Sequence, residues 1–252
     1  MQALVLTAPS RLEVRAMPEP VPAEDEVLLR IHACGICGSD IHGWDGSTGR
    51  RRPPLIMGHE AAGEVLAAGA RATGWRPGDR VTFDSTISCG ACASCTAGQV
   101  NLCANRRVVG VAPAEYRQHG AFAERLALPA RVLYRLPDTL PYPEAAMVEP
   151  VSIAVHAVTR WREALRGRGE EPAGQPVVVV GAGMIGLLVI QALRWAGAGE
   201  ILAIDLADNR LELARRLGAT QVINSGRTDA AAAVAAAAGG AGGAGALGGG
   251  GA

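Results

Sequence analysis

Cys89, Cys92, Cys95 and Cys103 fall in one Gly- and Ala-rich stretch at the spacing C-x2-C-x2-C-x7-C. Four soft thiolates this close in sequence can surround one tetrahedral zinc ion without help from the rest of the chain. The stretch therefore reads as a closed structural metal loop with no open ligand position. Two disulfides are the alternative, and they need an oxidising compartment. The first apolar run, Met1 to Ala8, is short, lacks a basic start and is broken by Pro9, so it does not read as an export signal. A reduced, cytoplasmic setting and a bound metal are expected.

At 252 residues, 49% of them apolar, the chain can bury two modest cores. Basic and acidic residues both number 24, so the formal charge is zero and nothing draws the chain to nucleic acid or an anionic membrane. The one basic tract, Arg50-Arg51-Arg52, reads as an exposed charged loop, with contact to a phosphorylated sugar as the alternative. No apolar segment approaches the ~20 residues that span a bilayer. A small molecule is the expected partner.

Residues 1–150 carry short apolar or alternating runs separated by Gly and Pro, the pattern of a β-rich domain. From Val151 the pattern becomes helical through Trp161 and Leu165. The unbroken apolar strand Val177 to Val180 follows, of the kind covered on both faces in a parallel sheet. A helix from about Met184 to Trp195, a strand Glu200 to Leu206, a helix Arg210 to Leu217 and a strand near Gln221 to Asn224 complete a second domain over 151–229. Beyond it, residues 230–252 are all Ala or Gly except Val234 and Leu247.

Val180 leads into Gly181-Ala-Gly183-Met184-Ile185-Gly186, and Asp205 closes the next strand. Strand, glycine turn, helix, strand and acid in this order form a dinucleotide site. Gly181 permits the turn, Gly183 lets backbone approach a pyrophosphate, and Gly186 lets the helix pack closely. Asp205 would accept hydrogen bonds from the adenosine ribose and repel a 2′-phosphate, so NAD is expected over NADP. Arg210 suits stacking on the adenine and equally a solvated helix face.

Cys37, Ser39, Asp40, His42, His59, Glu60 and Glu149 are scattered but of types that serve a catalytic zinc, which takes mixed ligands and keeps one position open. Taken singly, Cys37 also fits a buried small side chain, His59 a core histidine and Glu149 a helix start.

These motifs, in this order over Met1 to about Ser225, resemble the zinc-dependent medium-chain alcohol and polyol dehydrogenases. The resemblance implies a GroES-like β-rich catalytic domain followed by a Rossmann doubly wound domain, here incomplete. It makes Cys37, His59 and Glu60 catalytic-zinc motifs and Cys89, Cys92, Cys95 and Cys103 the structural-zinc lobe. Asp40 then orients His59, Ser39 and His42 relay the substrate's proton, and Phe122, in the run Gly120-Ala-Phe122-Ala-Glu124, walls the pocket. Glu149-Pro150-Val-Ser resembles the sorbitol, xylitol and threonine dehydrogenase branch, in which Glu149 would bind zinc directly or through water. A polyol is the leading substrate, with threonine, a sugar phosphate or another secondary alcohol open. Hydride would pass to NAD, and a completed sheet would support a dimer or tetramer.

The tail offers no charge and no strand-like run, so no strand beyond Asn224 is expected. It reads as a helix and turn stripped of side-chain identity, a truncated product or a flexible tail. The second would leave a zinc-binding or interaction protein without turnover, and intact mass distinguishes them.

Overall fold

The computed structural model describes residues 1–111, 118–238 and 245–248. Two compact units divide between Glu149 and Pro150. The first contains β1 (Gln2–Ala8), β2 (Arg11–Ala16), β3 (Glu26–Cys34), α1 (Gly38–Trp44), β4 (Leu55–Ile56), β5 (Ala61–Ala68), β6 (Arg80–Phe83), β7 (Thr86–Ile87), α2 (Ala93–Thr96), β8 (Arg107–Val108), β9 (Arg125–Pro129), β10 (Leu133–Arg135) and α3 (Tyr142–Ala146). An antiparallel sheet runs in the order β10-β6-β5-β3-β9. Val27 and Leu29 of β3, Val65 of β5, Val81 of β6 and Leu128 of β9 pack in one cluster. Each such fully buried side chain contributes roughly 1.5–3 kcal/mol.

Two features of this unit aim the chain at the site. In β3, Ile31 faces Gly63 and Ala33 faces Ala62, so His32 is an extra residue. The bulge bends the strand end that leads to Cys37. Val5 and Leu6 of β1 pair with Ile56 and Leu55 of β4, fixing the segment that continues to His59 and Glu60. A strap from Gly120 to Phe122 closes over it, its N–H groups donating to the carbonyls of Ile56, Gly58 and Met57.

The second unit takes in α4 (Val148–Arg166, its first two residues lying before the division), β11 (Val177–Val180), α5 (Met184–Trp195), β12 (Ile201–Asp205), α6 (Asp208–Arg216), β13 (Gln221–Asn224), α7 (Ala230–Ala238) and β14 (Gly245–Gly248). All pairings in its sheet are parallel, in the order β13-β12-β11-β14. Val177 and Val179 point into a cluster with Val158, Trp161 and Leu165 of α4 and Ile190 and Leu193 of α5. Val178, Leu202 and Ile204 occupy the other face with Ile223, Ala230 and Val234. Both faces are covered, as a wholly apolar strand requires.

The tail follows one of its sequence readings in its helix and departs from the expectation of no further strand. Residues 230–238 form a helix whose Val234 packs on the sheet, and Gly245–Gly248 adds a fourth parallel strand beside β11. Ladder hydrogen bonds use only backbone groups, so a strand of small residues can pair without the side-chain signal that identifies one in a sequence.

Candidate active site and metal centres

The Cys89, Cys92, Cys95 and Cys103 sulfurs lie within 4.8 Å of one another. The Cys92 and Cys95 sulfurs are 3.5 Å apart and those of Cys89 and Cys95 4.0 Å apart. Four Zn–S bonds of ~2.3 Å give a tetrahedron with edges of about 3.8 Å, so the thiols fit zinc. All six cysteines are free, so the disulfide alternative is not seen. The N–H groups of Ala91 and Cys92 pull the Cys89 thiol down to about 6, and those of Cys95 and Ala104 lower Cys92. Burial and the neighbouring Cys92 push Cys95 up to about 11. Sulfurs this close cannot all ionise without a cation among them.

Cys37, His59 and Glu60 form the second cluster, their ligand atoms also within 4.8 Å of one another. Cys37 sits just before α1, and its N–H donates to Asp40 Oδ2 at 3.1 Å. His59 Nδ1 is 3.5 Å from Asp40 Oδ1. Burial opposes the imidazolium, but the Asp40 carboxylate and Cys37 sulfur outweigh it and push His59 up to about 10. Asp40 is pulled up by burial and more strongly down by His59, ending below the usual carboxylate range. Glu60 is 1% exposed, its Oε2 has no hydrogen-bond partner, and burial raises its pKa. A buried carboxylate oxygen without a donor, beside a sulfur and an imidazole, fits a divalent cation.

Glu149 stands outside this three-residue cluster and accepts a hydrogen bond from Ser85 Oγ at 3.3 Å. Burial raises its pKa while the charge of His59 lowers it, so it senses the cluster electrostatically. Ser39 Oγ lies 3.5 Å from His59 Nε2. His42 is one turn further along α1 and exposed. Phe122 lines an apolar cavity of about 590 Å³ with Ile36, Asp40, Ile41 and Trp44. Arg51 corrects the reading of its tract as an exposed loop: Arg50 and Arg52 are exposed, but Arg51 is buried and donates to Ser39 Oγ at 3.1 Å. The basic tract drew attention to Arg51 but not to its inward turn, and Ser85, which belongs to no spacing motif, gave no signal in the sequence.

In the second unit, Gly181 turns with φ +91° and Gly183 precedes α5, which begins with Met184 and Ile185. A Cβ on Gly186 would run into the Gly181 carbonyl oxygen, so this glycine lets α5 seat on the turn itself. Asp205 Oδ2 accepts from Ala182 N–H at 2.7 Å and Oδ1 from Ala207 N–H at 2.9 Å. Burial opposes ionisation of Asp205, but these donors outweigh it and hold its pKa below the usual carboxylate range. Arg210 is exposed and comes within 3.9 Å of Asp205 Oδ2, a pairing that solvent leaves weak.

The alcohol dehydrogenase GroES-like domain family matches residues 23–138, and the zinc-binding dehydrogenase family matches residues 185–247. Sorbitol dehydrogenase of Bacillus subtilis (strain 168) is 35% identical over 233 residues, covering 91% of this chain and 63% of that protein. L-threonine 3-dehydrogenase of Saccharopolyspora erythraea is 37% identical over 237 residues, covering 92% and 65%. A zinc-binding dehydrogenase from Sinorhizobium meliloti 1021, solved bound to NADP, superposes with a TM-score of 0.80 at 35% identity, covering 90% of this chain and 63% of that one. The chain thus spans somewhat less than two thirds of the length of these relatives. With two clusters able to hold a metal in the first unit, a glycine turn followed by Asp205 at the end of β12 in the second, and both family matches in the same order, the chain belongs to the zinc-dependent medium-chain alcohol and polyol dehydrogenases.

Proposed function

We propose that the protein oxidises a secondary alcohol to a ketone with NAD as hydride acceptor, and that its substrate is a polyol such as sorbitol or xylitol. The observation that carries this reading is the unpartnered, buried Oε2 of Glu60 beside Cys37 and His59. Cys37, His59 and Glu60 would hold the catalytic zinc, with Glu149 reaching it directly or through water. Zinc supplies Lewis acidity that lowers the pKa of a substrate hydroxyl. Asp40 fixes the His59 ring. Ser39 would take the hydroxyl proton and His42, exposed on the same helix, would pass it to solvent. The Cys89, Cys92, Cys95 and Cys103 lobe holds a structural ion and takes no part in the chemistry.

Initial rates with NAD across sorbitol, xylitol, L-threonine and a sugar phosphate test this reading. Turnover of a polyol supports it, turnover of L-threonine alone moves the substrate to an amino alcohol, and silence towards every secondary alcohol contradicts it.

Asp205 gives a separate expectation for the cofactor. A hydrogen bond to a charged group contributes about 1.5–3 kcal/mol, so Asp205→Ala should narrow the preference for NAD over NADP by roughly ten- to a hundredfold. The lowered pKa of Asp205 keeps it ionised as pH falls. Its contribution to NAD binding should therefore hold down to the ordinary aspartate value of ~3.9 and fade only below it. Calorimetric titration of NAD and NADP into wild type and Asp205→Ala, from about pH 8 down to about pH 3.5, checks both points. A wild-type protein preferring NADP, like its Sinorhizobium relative in being found with NADP, would contradict the role of this acid.

A further inference from the structure

We propose that Arg51 is a positioning residue, holding Asp40 and Ser39 against the Cys37, His59 and Glu60 cluster and so setting how tightly that cluster binds its metal. The inference rests on reading those three residues as a zinc site.

Arg51 is the member of its tract that turns inward, with its side chain 5% exposed. A buried guanidinium is costly unless it is paired. Its Nη2 donates to Ser39 Oγ at 3.1 Å and lies 3.5 Å from Asp40 Oδ1. The same Oδ1 faces His59 Nδ1 at 3.5 Å, while Oδ2 accepts the Cys37 N–H. One carboxylate therefore hydrogen-bonds the backbone of one ligand through Oδ2, while its Oδ1, which has no hydrogen-bond partner, stands at ion-pair distance from the ring of a second and from the guanidinium. Helix α1 is shaped for this passage: a Cβ on Gly43 would lie 2.5 Å from Arg51 Cδ and 2.8 Å from its Nε. The aliphatic stem runs over that bare position to reach Ser39 and Asp40.

The consequence is directional. Arg51 occupies an acceptor site on Ser39 Oγ, so the Ser39 hydrogen points away from the guanidinium. A planar guanidinium beside Asp40 also limits how its carboxylate can rotate. With Oδ1 held towards Nδ1, the His59 ring keeps its other nitrogen, Nε2, available to a metal. Groups that orient a ligand from outside typically change metal affinity by about 10–100-fold.

Zinc titration of the full chain in competition with a chromophoric chelator tests this. Wild type should take up two ions. Arg51→Met should retain the ion of the four-cysteine lobe but bind the second at least about tenfold more weakly, and Arg51→Lys, which keeps the charge but loses the planar fork, should fall between Arg51→Met and wild type. A folded Arg51→Met protein whose second ion binds with wild-type affinity overturns the inference and leaves the zinc reading intact, even if its apo form melts at a lower temperature. If Arg51→Met does not fold, Arg51→Gln replaces it under the same criteria. A wild type with a single ion, unchanged by Cys37→Ser, overturns both the inference and the reading beneath it.

Discussion

Stripping zinc from the four-cysteine lobe should open that lobe to trypsin while the rest of the first unit stays protected. Between Ser88 and Asn105 only Cys103 is buried, and neither α2 nor the short turn at Val100–Leu102 has a buried residue. With no apolar core of its own, the segment depends on its sulfurs, whose apparent binding of structural zinc in small domains is on the order of 10–16 kcal/mol. Cleavage after Arg106 should rise by at least about a hundredfold on chelation, equivalent to roughly 3 kcal/mol of local opening. Val27, Leu29, Val81 and Leu128 make a separate sheet core, so fragments containing them should persist. Mass spectrometry of a timed digest reads both results. Equal cleavage with and without chelator would show that the lobe is held by something other than metal.

Cys37→Ser should lower turnover of a secondary alcohol by on the order of a thousandfold while leaving NAD affinity unchanged. Serine offers a neutral, harder oxygen where the cluster has a soft sulfur, and the remaining His59 and Glu60 hold the ion weakly. Lewis-acid stabilisation amounts to several kcal/mol, and about 4 kcal/mol corresponds to a thousandfold in rate. The glycine turn and Asp205 lie in the other unit, which is why cofactor binding should not follow. Initial rates and a fluorescence titration of NADH separate the two effects. A variant within about tenfold of wild-type turnover would remove Cys37 from the chemistry.

The parts of this molecule that could be read from its sequence are those where one physical requirement forces a local pattern. A strand covered on both faces must be apolar throughout, and Val177–Val180 is. A helix seated on its own turn excludes a Cβ at Gly186. A four-thiolate site on a short loop needs close cysteines, and the lobe has them. What could not be read depended on long-range placement. Three consecutive arginines give no sign that the middle one turns inward, because the cause lies in Gly43, Ser39 and Asp40. The Ser85 contact to Glu149 joins residues 64 apart in the chain. The β14 strand pairs with β11 in a stretch of Ala and Gly with a single Leu, which carries no alternation.

Zinc content per chain is the most direct test of the two-site arrangement. Protein purified without chelator should hold two zinc ions, Cys37→Ser and Cys92→Ser should each hold one, and the double variant none, consistent with the two separate ligand clusters. A wild type with one ion, and Cys37→Ser with the same one, would contradict the catalytic centre at Cys37, His59 and Glu60.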